Sequence, residues 1–245
     1  VNDLVTRAQT HQTPLAYPMT IGIIPTIAPF LLPKVLPILR EQFPNFQLNV
    51  VEEQTERLLE KVRYGSIDTA IIALPYSTEG LLSFEFWSEI FLAVFNPADP
   101  HARLPSIGAD ELANSNLMLL GEGHCLTDHA LSVCHLEKNK VKHGFSEASL
   151  HTLIQMALSG MGTTLVPQMA TSQIRQQTPN VALVPLREAG PHRHLAFVTR
   201  LNYTRVDDVN LLGRVFADGL RHSAAFVNPP HGVDSALAST AIVNN

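Results

Sequence analysis

The sequence has no cluster of basic residues. It contains 17 Lys and Arg against 22 Asp and Glu in 245 residues, which gives a formal net charge of -5 at pH 7. A DNA-binding domain ordinarily presents a basic stripe or patch to the phosphate backbone. We therefore expect that this chain does not itself contact DNA, and that any DNA-binding domain is missing from it.

Long apolar runs are also missing, because prolines interrupt the longest stretches, Ile21–Pro25 and Phe30–Pro37. A membrane-spanning helix needs roughly 20 consecutive apolar residues. The first residues, Val1–Gln12, are polar, lack an initiator Met and lack the apolar core of a signal peptide. We expect a cytoplasmic protein, cut from a longer one, that does not contact a membrane.

Cysteine is scarce, with only Cys125 and Cys134 in the chain. Two cysteines are too few for a disulfide scaffold. In a reducing compartment, a pair this close in sequence is more often redox-active or metal-binding than structural. The segment that contains them is therefore the first candidate for a functional site.

Apolar residues make up 45% of the chain and charged residues 16%, which is typical of a soluble α/β protein and excludes global disorder. Period-2 and period-3.6 patterns predict strands and helices in alternation. The predicted strands are Met19–Ile24, Gln47–Glu52, Thr69–Leu74, Leu82–Trp87, Ile90–Phe95, Leu117–Leu120, Val141–Phe145, Thr163–Val166, Val181–Leu186 and Leu195–Thr199. The predicted helices are Phe30–Phe43 (with a kink or late start at Pro37), Thr55–Tyr64, Ala109–Ala113, Leu150–Ser159 and Asp207–Phe226.

The order of these elements predicts two lobes. The first elements alternate βαβαβ, which indicates a parallel sheet with right-handed crossovers. A second set of strands and helices follows about Asn96, and the last strand and helix can return to the first half. Two lobes with a hinge and a cleft between them would result, followed by a small, polar and disordered tail.

The cysteine segment, Gly121–Glu137, has apolar residues at helical spacing, among them Leu126, Ala130 and Leu131. Cys125 would then lie at or near the start of a helix, where unpaired N–H groups and the helix dipole favour an anion. We expect this position to favour the thiolate and lower the thiol pKa. A protonated His124 would add positive charge.

Cys134 comes nine positions later, which is roughly 13 Å along a continuous α-helix. A disulfide requires Cα atoms within about 7 Å of each other. If the segment is helical, the two cysteines cannot bond without remodelling it, and such a shape change is what a switch requires.

Two other interpretations of the segment remain open. Both cysteines can simply fill space in the core, since Cys is often buried. A metal site is the other, although the spacing matches none of the common zinc patterns. Its candidate ligands would be His124, Cys125, His129, Cys134, His135 and His143.

The segment resembles the OxyR branch of the LysR-type transcriptional regulators. The matching stretch is His-Cys-Leu-x-Asp-x-Ala-x-x-x-Cys, which includes both cysteines. Further matches are Ile21–Pro33, Glu53–Thr55 and Gly160–Pro167, so the likeness runs from about Tyr17 to about Arg221. The double-cysteine motif is the specific part of this resemblance.

The resemblance implies a two-lobed, periplasmic-binding-protein-like (type 2) effector domain of the α/β class, each lobe a mostly parallel sheet flanked by helices. Residues 1–16 would end a linker helix, preceded by a winged helix-turn-helix that is absent from the chain. Residues 17–96 and 197–226 would form the first lobe, and 97–196 the second with the redox cysteines. Residues 227–245 would be the disordered tail.

The resemblance also implies roles for six residues, with no cofactor and no metal. Cys125 would be the peroxidatic cysteine and Cys134 the resolving one. The peroxide pocket would be formed by Thr26, Thr55, His124 and Asp128. The two threonines each follow a predicted strand, at the edge where open α/β sheets bind ligands, and their hydroxyls can donate to and accept from peroxide. From the residues alone, Thr55 can equally be a helix N-cap, Thr26 a turn residue, and Asp128 a first-turn anion.

As a function, the resemblance implies a hydrogen-peroxide sensor that regulates transcription under oxidative stress, not an enzyme. Its implied partners are a second copy in a homodimer or homotetramer, promoter DNA through the absent domain, RNA polymerase, and glutaredoxin or thioredoxin as reductant. The alternatives are a LysR-type effector domain for a small organic acid, a thiol peroxidase, and a periplasmic solute-binding protein.

Two positions depart from the pattern of these regulators. Thr127 and Ser146 stand where basic residues are common. Loss of the two positive charges would alter the thiol pKa, the hydration of the pocket or the stability of the disulfide form. Arg193 is a candidate for the compensating charge.

Overall fold

The computed structural model describes residues 14–136 and 148–225, which form two β-sheets and their covering helices. The strands are β1 (Met19–Ile23), β2 (Leu48–Glu52), β3 (Thr69–Leu74), β4 (Leu81–Glu89), β5 (Phe91–Phe95), β6 (Thr164–Pro167), β7 (Ala182–Pro185) and β8 (Arg193–Arg200). The α-helices are α1 (Ala28–Gln42), α2 (Thr55–Arg63), α3 (Ala109–Asn114), α4 (Cys125–Val133), α5 (Leu150–Leu158), α6 (Thr171–Gln177) and α7 (Val206–Ala225). Two short 3-10 helices lie at Pro100–Arg103 and Gln168–Ala170.

The first sheet has five strands in the order β2-β1-β3-β8-β4. Strand β1 pairs in parallel with β2 and β3, whereas β8 is antiparallel to both β3 and β4. Helices α1 and α7 pack together, and they approach closely because Gly219 has no side chain. A Cβ at Gly219 would lie 3.0 Å from Ile38 Cδ1 and 3.3 Å from Val35 Cγ1.

The second sheet has three strands in the order β6-β5-β7, and both of its pairs are antiparallel. The mixed α/β class is confirmed, but the expectation of a mostly parallel second sheet is wrong. The first sheet has two parallel and two antiparallel pairs. Short, fully buried apolar strands are compatible with either direction of pairing, which explains the error.

The chain crosses from one sheet to the other twice. Strand β4 ends at Glu89 and β5 begins at Phe91, and the return lies between Pro185 and Arg193. The strand pairing thus changes a few residues before each predicted lobe boundary, 96/97 and 196/197. Residues 91–95 belong to the second sheet, and 193–196 to the first, because the strand pairing changes at these earlier points.

Most predicted helices and strands are present within one or two residues of the expected bounds. Leu117–Leu120 is not a strand, since Leu117 forms only an isolated bridge to Thr163. All four of its residues are buried, so their apolar character reflects packing. Helix α1 begins early and continues past Pro37, so a late start there is wrong. The polar helix α6 was not predicted, and Val141–Phe145, Ser146 and the tail lie outside the described residues.

No helix within residues 14–136 and 148–225 is both long and apolar enough to span a bilayer.

Candidate functional site

The Cys125 side chain lies where the N-termini of two helices meet. Cys125 is the first residue of α4 and Thr55 is the first residue of α2. The Cys125 Sγ and Thr55 Oγ1 atoms are 2.8 Å apart and share a hydrogen bond. Both side chains are buried. The prediction that Cys125 starts a helix is therefore confirmed, and the hydrogen bond joins α2 to the redox segment.

Thr55 does not act as a helix cap. The N-cap residue of α2 is Gln54, whose side chain makes no capping hydrogen bond. The amide of Gln54 instead contacts the loop before Cys125, where its Nε2 donates to the carbonyl of Glu122 at 3.4 Å. Gly123 has a φ of 87°, and a Cβ there would lie 2.7 Å from Gln54 Oε1. A glycine at this position thus allows the loop to pack directly on the start of α2.

The pKa of Cys125 is raised, which contradicts the expectation of a lowered value. Burial of the thiol is the largest cause, and the nearby Asp128 charge adds to it. The hydrogen bond from Thr55, the charge of Arg193 and the backbone N–H of Cys125 itself act in the opposite direction. The prediction considered the helix dipole without the desolvation of a buried thiolate, and desolvation is the stronger effect here.

His124 and Asp128 lie on either side of Cys125 in the chain but differ in environment. His124 is the N-cap residue of α4 and is half-buried, which lowers its pKa and favours the neutral imidazole. Protonation of His124, on which the added positive charge depends, is therefore disfavoured. Asp128 is exposed to solvent in the first turn of α4.

Thr26 is connected to the site through Arg193. Its buried Oγ1 accepts a hydrogen bond from Arg193 Nη1, and its carbonyl accepts one from Nη2, both at 3.3 Å. Arg193 is the first residue of β8 and forms an ion pair with Glu89 in which neither side chain is exposed. The Arg193 Nε to Glu89 Oε1 distance is 2.8 Å. The Arg193 charge acts to lower the pKa of Cys125 against the larger effect of burial, so Arg193 stays the candidate for the compensating charge.

The Arg193–Glu89 pair also connects the two sheets. Glu89 is the last residue of β4, and its Oε2 accepts a hydrogen bond from the backbone N–H of Met169, which follows β6. Arg193 additionally lies over the ring of Phe91, the first residue of β5, at 5.8 Å. One buried charge, Glu89, thus lies at the first crossing between the sheets, and the other, Arg193, lies at the second. Buried charges are costly unless they are paired and hydrogen-bonded, as these two are.

Cys134 caps the opposite end of α4 and is completely buried. Burial, and secondarily the negative charge of Glu188, raise its pKa to about 12. The two sulfurs are not bonded to each other. Because α4 is continuous from Cys125 to Val133, the cysteines are about 13 Å apart along the helix axis. The expected need for remodelling before a disulfide can form is consistent with this helix.

Two further side chains of α4 anchor it. Thr127 is buried, and its Oγ1 donates to the carbonyl of Leu120 at 2.9 Å. His129 Nε2 donates to the carbonyl of Pro75, directly after β3, at 2.9 Å. Burial lowers the pKa of His129, so its imidazole is held neutral. The position with a missing basic residue, Thr127, therefore has a structural role of its own.

No group of three or more His, Cys, Asp or Glu side chains that could hold a metal ion occurs in the part of the chain that the structure describes. His143, one of the candidate ligands, lies outside this part.

Comparisons with known proteins agree with this architecture. The LysR substrate-binding domain profile matches residues 12–220. The chain belongs to the LysR substrate-binding domain family. The family resemblance and the α/β fold predicted from the sequence are confirmed.

Two curated relatives of this LysR substrate-binding domain are transcriptional regulators. It is 38% identical over 198 residues to the HTH-type transcriptional regulator EstR of Acinetobacter baylyi, covering 81% of the chain and 65% of that relative. It is 36% identical over 218 residues to the probable hydrogen peroxide-inducible genes activator of Mycobacterium avium, covering 88% and 70%. The chain thus spans about two thirds of the length of these relatives.

A solved structure with the same fold is a hydrogen-peroxide-bound cysteine-to-serine mutant of OxyR from Corynebacterium glutamicum. The TM-score is 0.81 at 28% sequence identity, and the match covers 91% of this chain and 70% of that one. The likeness therefore extends over most of the chain.

Proposed function

We propose that this chain is the hydrogen-peroxide-sensing regulatory domain of a LysR-type transcription regulator. The observation that supports this function best is the contact between Cys125 Sγ and Thr55 Oγ1 at the start of α4, with a second thiol at the other end of the same helix. The names of the Mycobacterium avium relative and the Corynebacterium glutamicum structure support the choice of peroxide as the signal.

The first step is attack by the Cys125 thiolate on one peroxide oxygen. The S–O bond forms as the O–O bond breaks, and the departing hydroxide takes up a proton to become water, which leaves a sulfenic acid on Cys125. Burial disfavours the Cys125 thiolate. The Thr55 hydroxyl and the Arg193 charge oppose this effect and stabilise the thiolate when it forms. Thr26, His124 and Asp128 complete the proposed pocket.

The second step joins the two cysteines. The Cys134 sulfur attacks the sulfenic sulfur of Cys125, the S–S bond forms, the S–O bond breaks, and the proton of Cys134 leaves with the hydroxyl group as water. A Cα separation of about 13 Å must fall below about 7 Å, so α4 must unwind. The high pKa of Cys134 keeps that thiol unreactive until the helix opens.

The remaining elements of the proposal concern the whole protein. A winged helix-turn-helix would contact promoter DNA, residues 1–16 would end the linker helix, and the domain would pair as a homodimer or homotetramer whose geometry follows α4. The protein would act in the cytoplasm with RNA polymerase, and glutaredoxin or thioredoxin would reduce the disulfide. A sensor reacts once per activation, so we propose no enzymatic turnover.

Peptide mapping by mass spectrometry after sub-stoichiometric peroxide tests the proposal. We expect a Cys125–Cys134 crosslink in the unmodified chain, a dimedone adduct on Cys125 in Cys134→Ser, and neither product in Cys125→Ser. Ser132→Ala, at an exposed position of the same helix, is the matched control and should crosslink normally. Two free thiols after peroxide treatment would exclude the sensor function, and steady thioredoxin-coupled peroxide consumption would favour a peroxidase.

A further inference from the structure

A groove of about 470 Å³ lies between β4 and α7, away from the cysteine segment. Three aromatic residues line the groove, Phe84 and Phe86 from β4 and Phe197 from β8. The rings of Phe86 and Phe197 form one cluster with Phe216, with centroid distances of 5.1 Å for Phe86–Phe197 and 5.5 Å for Phe197–Phe216. Its volume falls within the range of roughly 300–1,000 Å³ that is usual for small-molecule sites.

The groove exists because α7 presents small residues to β4. Gly213 and Ala217, one helical turn apart, line it. A Cβ at Gly213 would be in ordinary contact with Phe86 Cβ at 3.5 Å and with Phe197 Cδ2 at 4.0 Å. An alanine would therefore fit at this helical position and would be favoured by about 1 kcal/mol in intrinsic propensity. Helix stability therefore does not explain the glycine at position 213, whose missing side chain leaves space in the groove.

An irregularity in β4 shapes the opposite wall. The pairing with β8 shifts between Glu85 and Trp87, so Phe86 is an extra residue in the ladder. The consecutive residues Phe84, Glu85 and Phe86 all line the groove as a result. Bulges of this kind disrupt the ladder and prevent another strand from adding to the edge. This favours a small molecule over an added β-strand as the occupant.

Two of the charged side chains around the groove form an ion pair, Arg221 with Asp218. Glu85 lies 3.5 Å from His194 on the opposite side of the groove from α7. Arg214 is exposed and has no hydrogen bond or ion pair with any residue in the described ranges 14–136 and 148–225. Asn210, one helical turn before Arg214, adds amide donors on the same face. The open cation and the amide donors are complementary to a carboxylate.

We propose that this groove binds a flat aromatic carboxylate, with its rings against the partly exposed Phe84 and Phe86 and its carboxylate at Arg214 and Asn210. The site is separate from the cysteine chemistry, so the proposed peroxide function can fail or hold without affecting it. It would give the domain a second input, a small organic acid, beside the redox signal.

Isothermal titration calorimetry of the full chain under reducing conditions with 2-naphthoate tests the site. The unmodified chain should bind 2-naphthoate more tightly than its neutral analogue 2-naphthylmethanol. Arg214→Gln should weaken naphthoate binding about three- to fivefold, the range expected for one exposed ion pair, and leave the alcohol unaffected. Arg40→Gln, an exposed arginine on α1, is the matched control and should change nothing.

Occlusion of the groove gives the second arm. Gly213→Leu should abolish binding of both compounds, and Gly213→Ala, which fits without displacing a neighbour, should weaken both and keeps the test valid if the leucine variant fails to fold. The proposal would be overturned if the unmodified chain did not bind 2-naphthoate, or if the Gly213 variants bound it as tightly as the unmodified chain. A change in self-association of Gly213→Leu by analytical ultracentrifugation would overturn it in favour of a second copy as the occupant.

Discussion

The two ends of α4 carry the same side chain in opposite electrostatic surroundings. Cys125 and Cys134 are both buried, and burial raises the pKa of both thiols. Near Cys125, the Thr55 hydroxyl and the Arg193 cation oppose that effect, whereas the Glu188 carboxylate near Cys134 adds to it. Exposure alone therefore does not distinguish the two cysteines. Their neighbours decide which one can ionise first.

The contrast has a structural basis in chain topology. The start of α4 faces the first sheet, through Thr55 of α2 and through Arg193 of β8. The end of α4 faces the loop between β7 and β8, which contains Glu188. A single helix thus places one thiol beside stabilising groups from one half of the molecule and the other thiol beside an anion.

The largest expected effect comes from removing the cation near Cys125. Arg193→Met leaves Glu89 buried without its charge partner, and breaking a buried pair in this way typically costs about 3–5 kcal/mol. We expect the free energy of unfolding in urea to fall by that amount and the pKa of Cys125 to rise further. Arg187→Met, which removes a largely exposed pair with Glu111, is the control and should have a small effect. A similar small loss for both variants would contradict the buried role of Arg193.

A smaller effect should follow from removing the hydroxyl that contacts Cys125. In a Cys134→Ser background, Thr55→Val should slow sulfenic acid formation about five- to tenfold, the equivalent of one hydrogen bond of about 1–1.5 kcal/mol. Thr55→Ser retains a hydroxyl and should react at nearly the original rate. The second-order rate constant with peroxide measures this. An unchanged rate in the valine variant would show that the contact does not stabilise the reacting thiolate.

The smallest effect is expected at the other thiol. Glu188→Gln removes a negative charge that raises the pKa of Cys134, so ionisation of Cys134 should shift to lower pH. Burial is the larger cause and should keep the pKa above its ordinary value. Alkylation of Cys134 measured against pH, in a Cys125→Ser background, reports the shift. Glu79→Gln, an exposed position, is the control, and equal profiles for the two variants would remove Glu188 from the comparison.

Local pattern was enough to predict much of the fold and the start of the redox helix. The apolar spacing of Leu126, Ala130 and Leu131 correctly indicated a helix that begins at Cys125. The direction of strand pairing in the second sheet was not predictable, because buried apolar strands such as β5 and β6 carry the same pattern in either direction.

Contacts across long sequence separation were the other limit. Arg193 and Thr26 are 167 positions apart, and nothing in the local sequence of either indicates their hydrogen bond. The predicted sign of the Cys125 pKa shift was wrong for a related reason. The helix dipole is a local property that spacing reveals, whereas desolvation depends on every element that covers the thiol.

Hydrogen–deuterium exchange of peptides covering residues 125–134 tests the central claim, that α4 separates the two cysteines and must unwind before they bond. The account predicts slow exchange in the reduced chain, fast exchange once the Cys125–Cys134 disulfide has formed, and retained protection in oxidised Cys134→Ser. A disulfide that forms while these amides stay protected would contradict it.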